Sequence, residues 1–208
     1  MSYKSPIEDF KYNLAMLNYD EVIAGIEKFK EYDSETLMSV VSEIGRLNEQ
    51  EVLDSNKIGD REGLKYVTDG AEGPEVHTPE RFKKLYDAVK SSGYVGATMP
   101  TQYGGGGAPF TTAILAGEIG IAANMAFYMG PGLSHGAMKT ILKKATEELK
   151  DKYLPNMTSG EWMGTMCLTE PQCGTDLGLI KSTAVPKDDH YELTCLLYTS
   201  DAADDDHC

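Results

Sequence analysis

Cysteine is scarce in this chain of 208 residues: Cys167, Cys173, Cys195 and Cys208, with no CxxC pair among them. That argues against a disulfide-stapled scaffold and fits a reducing, cytoplasmic setting. Positive charge is short as well. Against 33 Asp and Glu stand 19 Lys and Arg, a formal net charge of −14. Such a surface repels nucleic-acid phosphates and anionic membrane, so neither is an expected partner. No run of 18 apolar residues occurs, and residues 1–10 hold no apolar signal core, so no bilayer-spanning helix and no signal peptide are expected. HExxH, GxGxxG and GxxxxGK patterns are missing, and the four histidines (His77, His135, His190, His207) lie far apart, which leaves no metal site and no dinucleotide or P-loop cradle. No repeat of 20–50 residues is apparent. The composition that remains, 41% hydrophobic and 25% charged, is that of a globular protein, and the length predicts one large domain or two small ones.

The last 14 residues read differently from the rest. CLLYTSDAADDDHC, from Cys195, continues no periodic pattern, and its run to Asp205 resembles the conceptual translation of a transposon-type sequencing adapter. Two readings stay open, a non-native tail over 195–208 or a natural acidic one. Without this stretch, which holds four aspartates and no Lys or Arg, the charge becomes −10 and two cysteines remain.

Apolar spacings of three and four predict two short helices within 8–30, split near Asn18–Asp20, then a helix over 35–54 after Ser34 with Leu37, Val40, Val41, Ile44 and Leu47 as its stripe. Residues 55–77, polar and rich in glycine, read as a loop with a short extended piece. Thr78-Pro79-Glu80 reads as a helix start, with Thr78 as cap, and Gly93 as its stop. Pro100–Pro109 is a loop around Gly104–Gly107. Residues 110–127 are apolar almost all round, which predicts a central buried helix broken at Gly130-Pro131-Gly132; Met125, Met129 and Met138 read as core or as the border of an acyl chain. Helices over about 133–145 and 147–158 follow, with Lys143-Lys144 solvated. After Gly160 the pattern changes. Residues 162–169, 181–185 and 190–194 read as strands, with Trp162 in their core. The expected fold is a mainly α N-terminal helical domain, residues 1–160, followed over 161–194 by the truncated start of a β domain, too short to bury a core alone.

The best place for chemistry is Met166-Cys167-Leu168-Thr169-Glu170-Pro171-Gln172-Cys173-Gly174-Thr175-Asp176. Thr169 and Thr175 offer hydroxyl and N–H donors, Gly174 permits close backbone approach, and Asp176 can brace the turn. From the residues alone, a plain turn between strands and a ligand site both remain open. Cys167 and Cys173 read as small buried hydrophobes rather than nucleophiles.

LTEPQCGTD resembles the flavin-site signature of the acyl-CoA dehydrogenases. The surrounding order agrees: Pro100, Tyr103, Gly104 and Gly105, then Tyr153-Leu154-Pro155, Gly160-Glu161-Trp162, the signature, Thr183-Ala184 and Tyr191-Glu192-Leu193-Thr194. The early Tyr3-Lys4-Ser5-Pro6-Ile7 and Gly164-Thr165-Met166-Cys167 resemble the 3-methylmercaptopropionyl-CoA dehydrogenase branch. The resemblance implies FAD, an acyl-CoA substrate oxidised to the 2-enoyl-CoA, an electron-transfer acceptor protein and a homo-oligomer at full length. It implies flavin contacts from Met166, Leu168, Thr169, Gly174 and Thr175, with Thr175 also near the CoA arm. The catalytic base is expected in a C-terminal region that this sequence lacks, with Glu170 a structural carboxylate, so the fragment is expected to be inactive. Met166 and Cys173 depart from the aromatic and alanine usual at these places, and register with the family is lost after Thr194. The signature does not separate a dehydrogenase from an oxidase or an alkylation-response flavoprotein, and a cofactor-free helical interaction module is the rival of another class.

Overall fold

The computed structural model describes residues 3–70 and 73–194. The suspect tail, with Cys195 and Cys208, lies outside the described residues. The chain divides into two compact units between Gly164 and Thr165.

The first unit is helical. Helices α1 (Ile7–Met16) and α2 (Tyr19–Ala24) are separated at Asn18, whose φ of 49° is left-handed, a conformation Asn tolerates better than most residues. Helix α3 (Ser34–Leu47) follows. Its cap is Asp33, which accepts the Thr36 N–H at 2.8 Å. Ser34 is already helical and instead donates to Asp20 through N and Oγ, at 2.6 and 2.7 Å. The expected stripe forms, except that Val40 stays 41% exposed. Together Phe10, Leu14, Ile23, Leu37, Val41 and Ile119 anchor one buried cluster.

Helix α3 does not end near residue 54. It passes through a π-helical turn, Asn48–Val52, into α4 (Leu53–Glu62). Asn48, Val52 and Ser55 are the residues turned inward along it. Helix α4 is otherwise polar, which is why its sequence reads as loop. A hairpin follows, β1 (Lys65–Gly70) and β2 (Gly73–His77), antiparallel with Tyr66 opposite Val76.

Helix α5 (Glu80–Ser91) begins one residue later than Thr78 could cap. Pro79, extended at ψ 137°, is the capping residue, and no side chain bonds the first turn. Gly93 ends the helix in a left-handed turn, φ 74°. The glycine loop is then stitched onto the preceding turn rather than left flexible. Gly106 N donates to Gly96 O, Gly107 N to Met99 O and Ala108 N to Ala97 O, at 3.0, 2.8 and 2.9 Å. Those donors are spent, so the loop cradles no phosphate.

The largest departure from expectation is α6 (Phe110–Lys144), which runs through Gly130-Pro131-Gly132 without interruption. Its one non-helical residue is Asn124, φ −159° and ψ 92°. The break there is a reversal. Lys139 Nζ stands 3.8 Å from the Phe110 ring centroid, whereas a straight helix would part these residues by about 43 Å. Gly120 sits against the Tyr128 ring, where an added Cβ would come within 2.7 Å. Asn124 caps the second arm, its Oδ1 accepting the Phe127 N–H at 3.1 Å, and its Nδ2 donates to Ser55 Oγ at 2.7 Å. Ser55 Oγ donates onward to Val52 O at 2.6 Å. The π-helical turn and the reversal are thus tied through a buried polar pair. Length and composition alone would let α6 cross a bilayer, something a search for unbroken apolar runs misses. Folded back on itself, it is the central hairpin of the helical unit.

Nor is α6 buried all round. Ile119, Ala123, Phe127 and Met138 enter the core, while Phe110, Ile114, Ile121, Met125 and Met129 are each more than half exposed. Of the three methionines read as core or as the border of an acyl chain, Met138 is in the core and Met125 and Met129 are not. Phe82, Tyr94, Phe127 and Tyr128 form edge-to-face pairs beneath the reversal, with centroids 5.3–5.9 Å apart. Helix α7 (Glu147–Thr158) closes the unit, with Thr146 Oγ1 accepting the Leu149 N–H and Leu154 fully buried. Thr146→Ala is expected to cost about 1 kcal/mol, the usual worth of such a cap, measured as a lower urea midpoint of the helical circular-dichroism signal. Trp162, expected in a β core, packs instead against Tyr153 in this unit at 6.0 Å and is 44% exposed.

Among its described residues the second unit contains one antiparallel hairpin, β3 (Thr183–Pro186) with β4 (Tyr191–Thr194), in register Thr183↔Thr194. The strand expected over 162–169 is not formed. A strand requires a neighbour to take its N–H and C=O groups, and the two strands present pair with each other.

Candidate functional site

The signature segment lies in the second unit. From 163 to 169 the backbone has no regular structure, and the N–H groups of Met166, Cys167, Leu168 and Thr169 donate to no atom among the described residues. Met166 is 64% exposed and Leu168 40%. Cys167, expected to be buried, is exposed, its Sγ 3.5 Å from Thr165 Oγ1; no partner strand among the described residues covers this face. Cys173 is buried as expected.

At Glu170 the chain tightens. Glu170 N donates to Cys173 O at 2.9 Å and Cys173 N to Glu170 O at 3.0 Å, closing the Pro171-Gln172 turn. Beside it lies a hollow of about 350 Å³ lined by residues 169–174. Thr169 and Gly174 meet there, for a Cβ at Gly174 would touch Thr169 Cγ2 at 3.8 Å and nothing else. Met166, Leu168 and Thr175 do not line this hollow. Thr175 is exposed, its carbonyl accepting from Leu177 N at 3.2 Å. Asp176 braces the following turn through Oδ1, which accepts the Gly178 N–H at 3.1 Å.

The Glu170 side chain turns away from solvent, 4% exposed. Its carboxylate accepts the N–H groups of Lys181 and Ser182, at 2.9 and 3.0 Å, and the Gln172 amide. Hydrogen bonds from Ser182, Lys181 and Gln172 favour the ionised form and pull its pKa down from 4.5 to about 2. A depressed pKa means that the interaction is fully present above pH 4.5 and is lost as pH falls toward 2. Such a carboxylate is a poor proton acceptor at neutral pH, which suits the structural part expected of it. The sequence shows Glu170 in a turn; that its partners lie eleven and twelve residues downstream is visible only in the fold.

Elsewhere, no three metal-ligating side chains gather among the described residues. His135 bonds Thr98 Oγ1 at 2.9 Å, and burial, aided by Lys139, lowers its pKa, so it stands neutral at pH 7.

A helical unit with a doubled-back central helix, followed by a donor-rich turn at the head of a hairpin, defines a class, and comparison with known proteins agrees with it. Residues 65–161 match the family model "Acyl-CoA dehydrogenase, N-terminal domain". The chain is 31% identical over 189 residues to 3-methylmercaptopropionyl-CoA dehydrogenase of Ruegeria pomeroyi, an alignment spanning 91% of this chain and 31% of that protein. Among solved structures, an acyl-CoA dehydrogenase from Bacillus anthracis complexed with FAD superposes with a TM-score of 0.59 at 26% identity, over 74% of this chain and 24% of that one. A glutaryl-coenzyme A dehydrogenase in complex with glutaryl-CoA shares the fold, with a TM-score of 0.65 at 24% identity, over 77% and 38%. Over residues 65–161 the chain is thus similar to the N-terminal domain of the acyl-CoA dehydrogenases. It spans about a third of the length of the curated relative, or 31%.

Proposed function

We propose that this chain is part of an FAD-dependent acyl-CoA dehydrogenase that converts an acyl-CoA thioester to its 2-enoyl-CoA. The observation that carries the reading is the donor set at the signature: backbone N–H groups over 166–169 that are unpaired among the described residues, together with the Thr169 and Thr175 hydroxyls and the open backbone at Gly174. These are the groups that an electron-rich ring edge and a pyrophosphate require. FAD, when bound, supplies the two-electron acceptor. In this reading the Met166 and Leu168 backbone and Thr169 hold the ring edge, Gly174 gives close approach, and Thr175 serves the pyrophosphate and the CoA arm. Met125 and Met129, exposed on α6, offer the flexible apolar surface an acyl chain prefers. Glu170 is committed to its loop, so the carboxylate that removes the α-proton is sought beyond residue 194. The reading extends to an electron-accepting partner protein, a homo-oligomeric parent, a cytoplasmic setting and 161–194 as the opening of the flavin-binding β domain.

The purified chain of 208 residues is expected to bind FAD weakly at best and to turn over no acyl-CoA. A chain extended to its relatives' length is expected to be yellow and to lose its 450-nm flavin absorbance when given an acyl-CoA. Turnover by the short chain would overturn the assignment of the base. A colourless extended chain that ignores added FAD would end the flavoprotein reading.

A further inference from the structure

The Glu170 carboxylate does more than cap its own turn. Its backbone belongs to the bridge with Cys173, directly after Thr169, while its side chain holds the N–H groups of Lys181 and Ser182, the last residues before β3. One side chain therefore joins the two ends of the loop that carries Gly174, Thr175 and Asp176. Gln172 reinforces the closure, its Nε2 reaching both the Glu170 carboxylate and Leu179 O, the latter at 3.2 Å. Within the loop the remaining bonds are local, among them Asp176 Oδ1 to Gly178 N and Leu179 N to Asp176 O. Without the carboxylate, the turn would lose both of these backbone ties and keep the Gln172 bond to Leu179 O. A loop of this length, untied, samples many conformations, and closing it has an entropic cost that a pre-formed latch removes before a ligand arrives.

We propose that Glu170 is the positioning residue of the candidate site, a latch that holds the 169–182 loop closed so that Thr169 and Gly174 face one hollow before any ligand binds. It touches neither flavin nor substrate in this scheme and acts through the backbone it fixes. The proposal rests on the flavin-site reading above only for the identity of the ligand.

Glu170→Gln tests it in the full chain. The variant keeps the shape but removes the charge and turns one accepting oxygen into an NH₂ group, which opposes either the Lys181 N–H on Oε2 or the Ser182 N–H on Oε1. Amide exchange at Lys181 and Ser182 is expected to quicken at least tenfold, and the Thr169 and Gly174 amide resonances to move. The β3–β4 amides and the helical circular-dichroism signal should stay as they were, which separates an open latch from an unfolded unit. Glu170→Asp, a carboxylate on a shorter arm, should restore part of the protection. Unchanged exchange at 181–182, or an opened latch with Thr169 and Gly174 unmoved, overturns the proposal. FAD titrated into both proteins tests the latch independently: affinity at least tenfold lower in Glu170→Gln supports it, and equal measurable affinity overturns its role in the site. If the unaltered chain shows no affinity, the exchange and resonance results decide the latch by themselves. A lack of FAD binding that persists in the extended chain counts against the flavin reading.

Discussion

Gly105→Ala is expected to destabilise the helical unit by about 3 kcal/mol, near the upper end of overpacking costs. The added Cβ would fall inside the van der Waals shell of the Met99 carbonyl. That obstacle is backbone and has nowhere to go, since Met99 is 1% exposed and its carbonyl already accepts from Gly107 N. Relief would require unpicking the rungs that fix residues 105–108 to 96–100, and with them buried Tyr103 and Ala108. The check is urea unfolding followed by the helical signal, with the midpoint lowered at unchanged slope. Gly117→Ala is the control. Its Cβ would meet nothing within 4 Å, and a helix-interior glycine replaced by alanine should gain up to about 1 kcal/mol. Equal midpoints for Gly105→Ala and the unaltered chain would show that the loop is not braced as described.

The second large effect is at the reversal. Asn124→Ala removes the acceptor for Phe127 N–H and the donor to Ser55 Oγ, and opens a small void at a position 1% exposed. A lost cap costs about 1 kcal/mol, and a buried group deprived of its partner about 1–2 kcal/mol more, so a total of about 2–3 kcal/mol is expected. Asn124→Asp separates the two parts. It keeps the cap's acceptor, gives up the donor, and sets a carboxylate where water does not reach. It should therefore be no better than alanine at pH 7 and should recover as pH falls and the carboxyl takes up a proton. A double-mutant cycle with Ser55→Ala should show a coupling of about 1 kcal/mol. Additive losses would mean that the Asn124–Ser55 pair does not hold the reversal.

These two positions also mark how far local sequence reaches. The α1–α2 split, the α3 stripe and α7 follow from local signals: apolar spacing, and a residue at Asn18 that tolerates the left-handed region. Gly130-Pro131-Gly132 carries the louder breaker signal in α6, yet the helix runs through it, because Asn124 both leaves the helical backbone and caps the next arm with its own side chain. Nothing in the local pattern ranks one asparagine above a Gly-Pro-Gly triplet; the deciding partner, Ser55, is 69 residues away. Helix α4 is hidden in the sequence because its contribution to the core reduces to Val52, at its boundary, and Ser55. At the site, Thr169 and Gly174 are legible from the motif, and the structure does bring them together. Met166, Leu168 and Thr175 lie outside that hollow. The exposure of Cys167 is not legible either, since a run of small and apolar residues looks like a strand until its neighbours are known.

A turn made on a single residue leaves no slack for insertions and deletions. Adding one residue to the second arm of α6, anywhere between Asn124 and His135, would rotate everything beyond it by about 100°. Met138, now wholly buried, would swing out of its place beneath Thr158, and His135 would leave Thr98. The same insertion between Gly70 and Gly73 would fall at the end of a hairpin whose pairing already shifts register after Val67. Length variation among natural versions of this helical unit should therefore gather between β1 and β2 and avoid the second arm of α6.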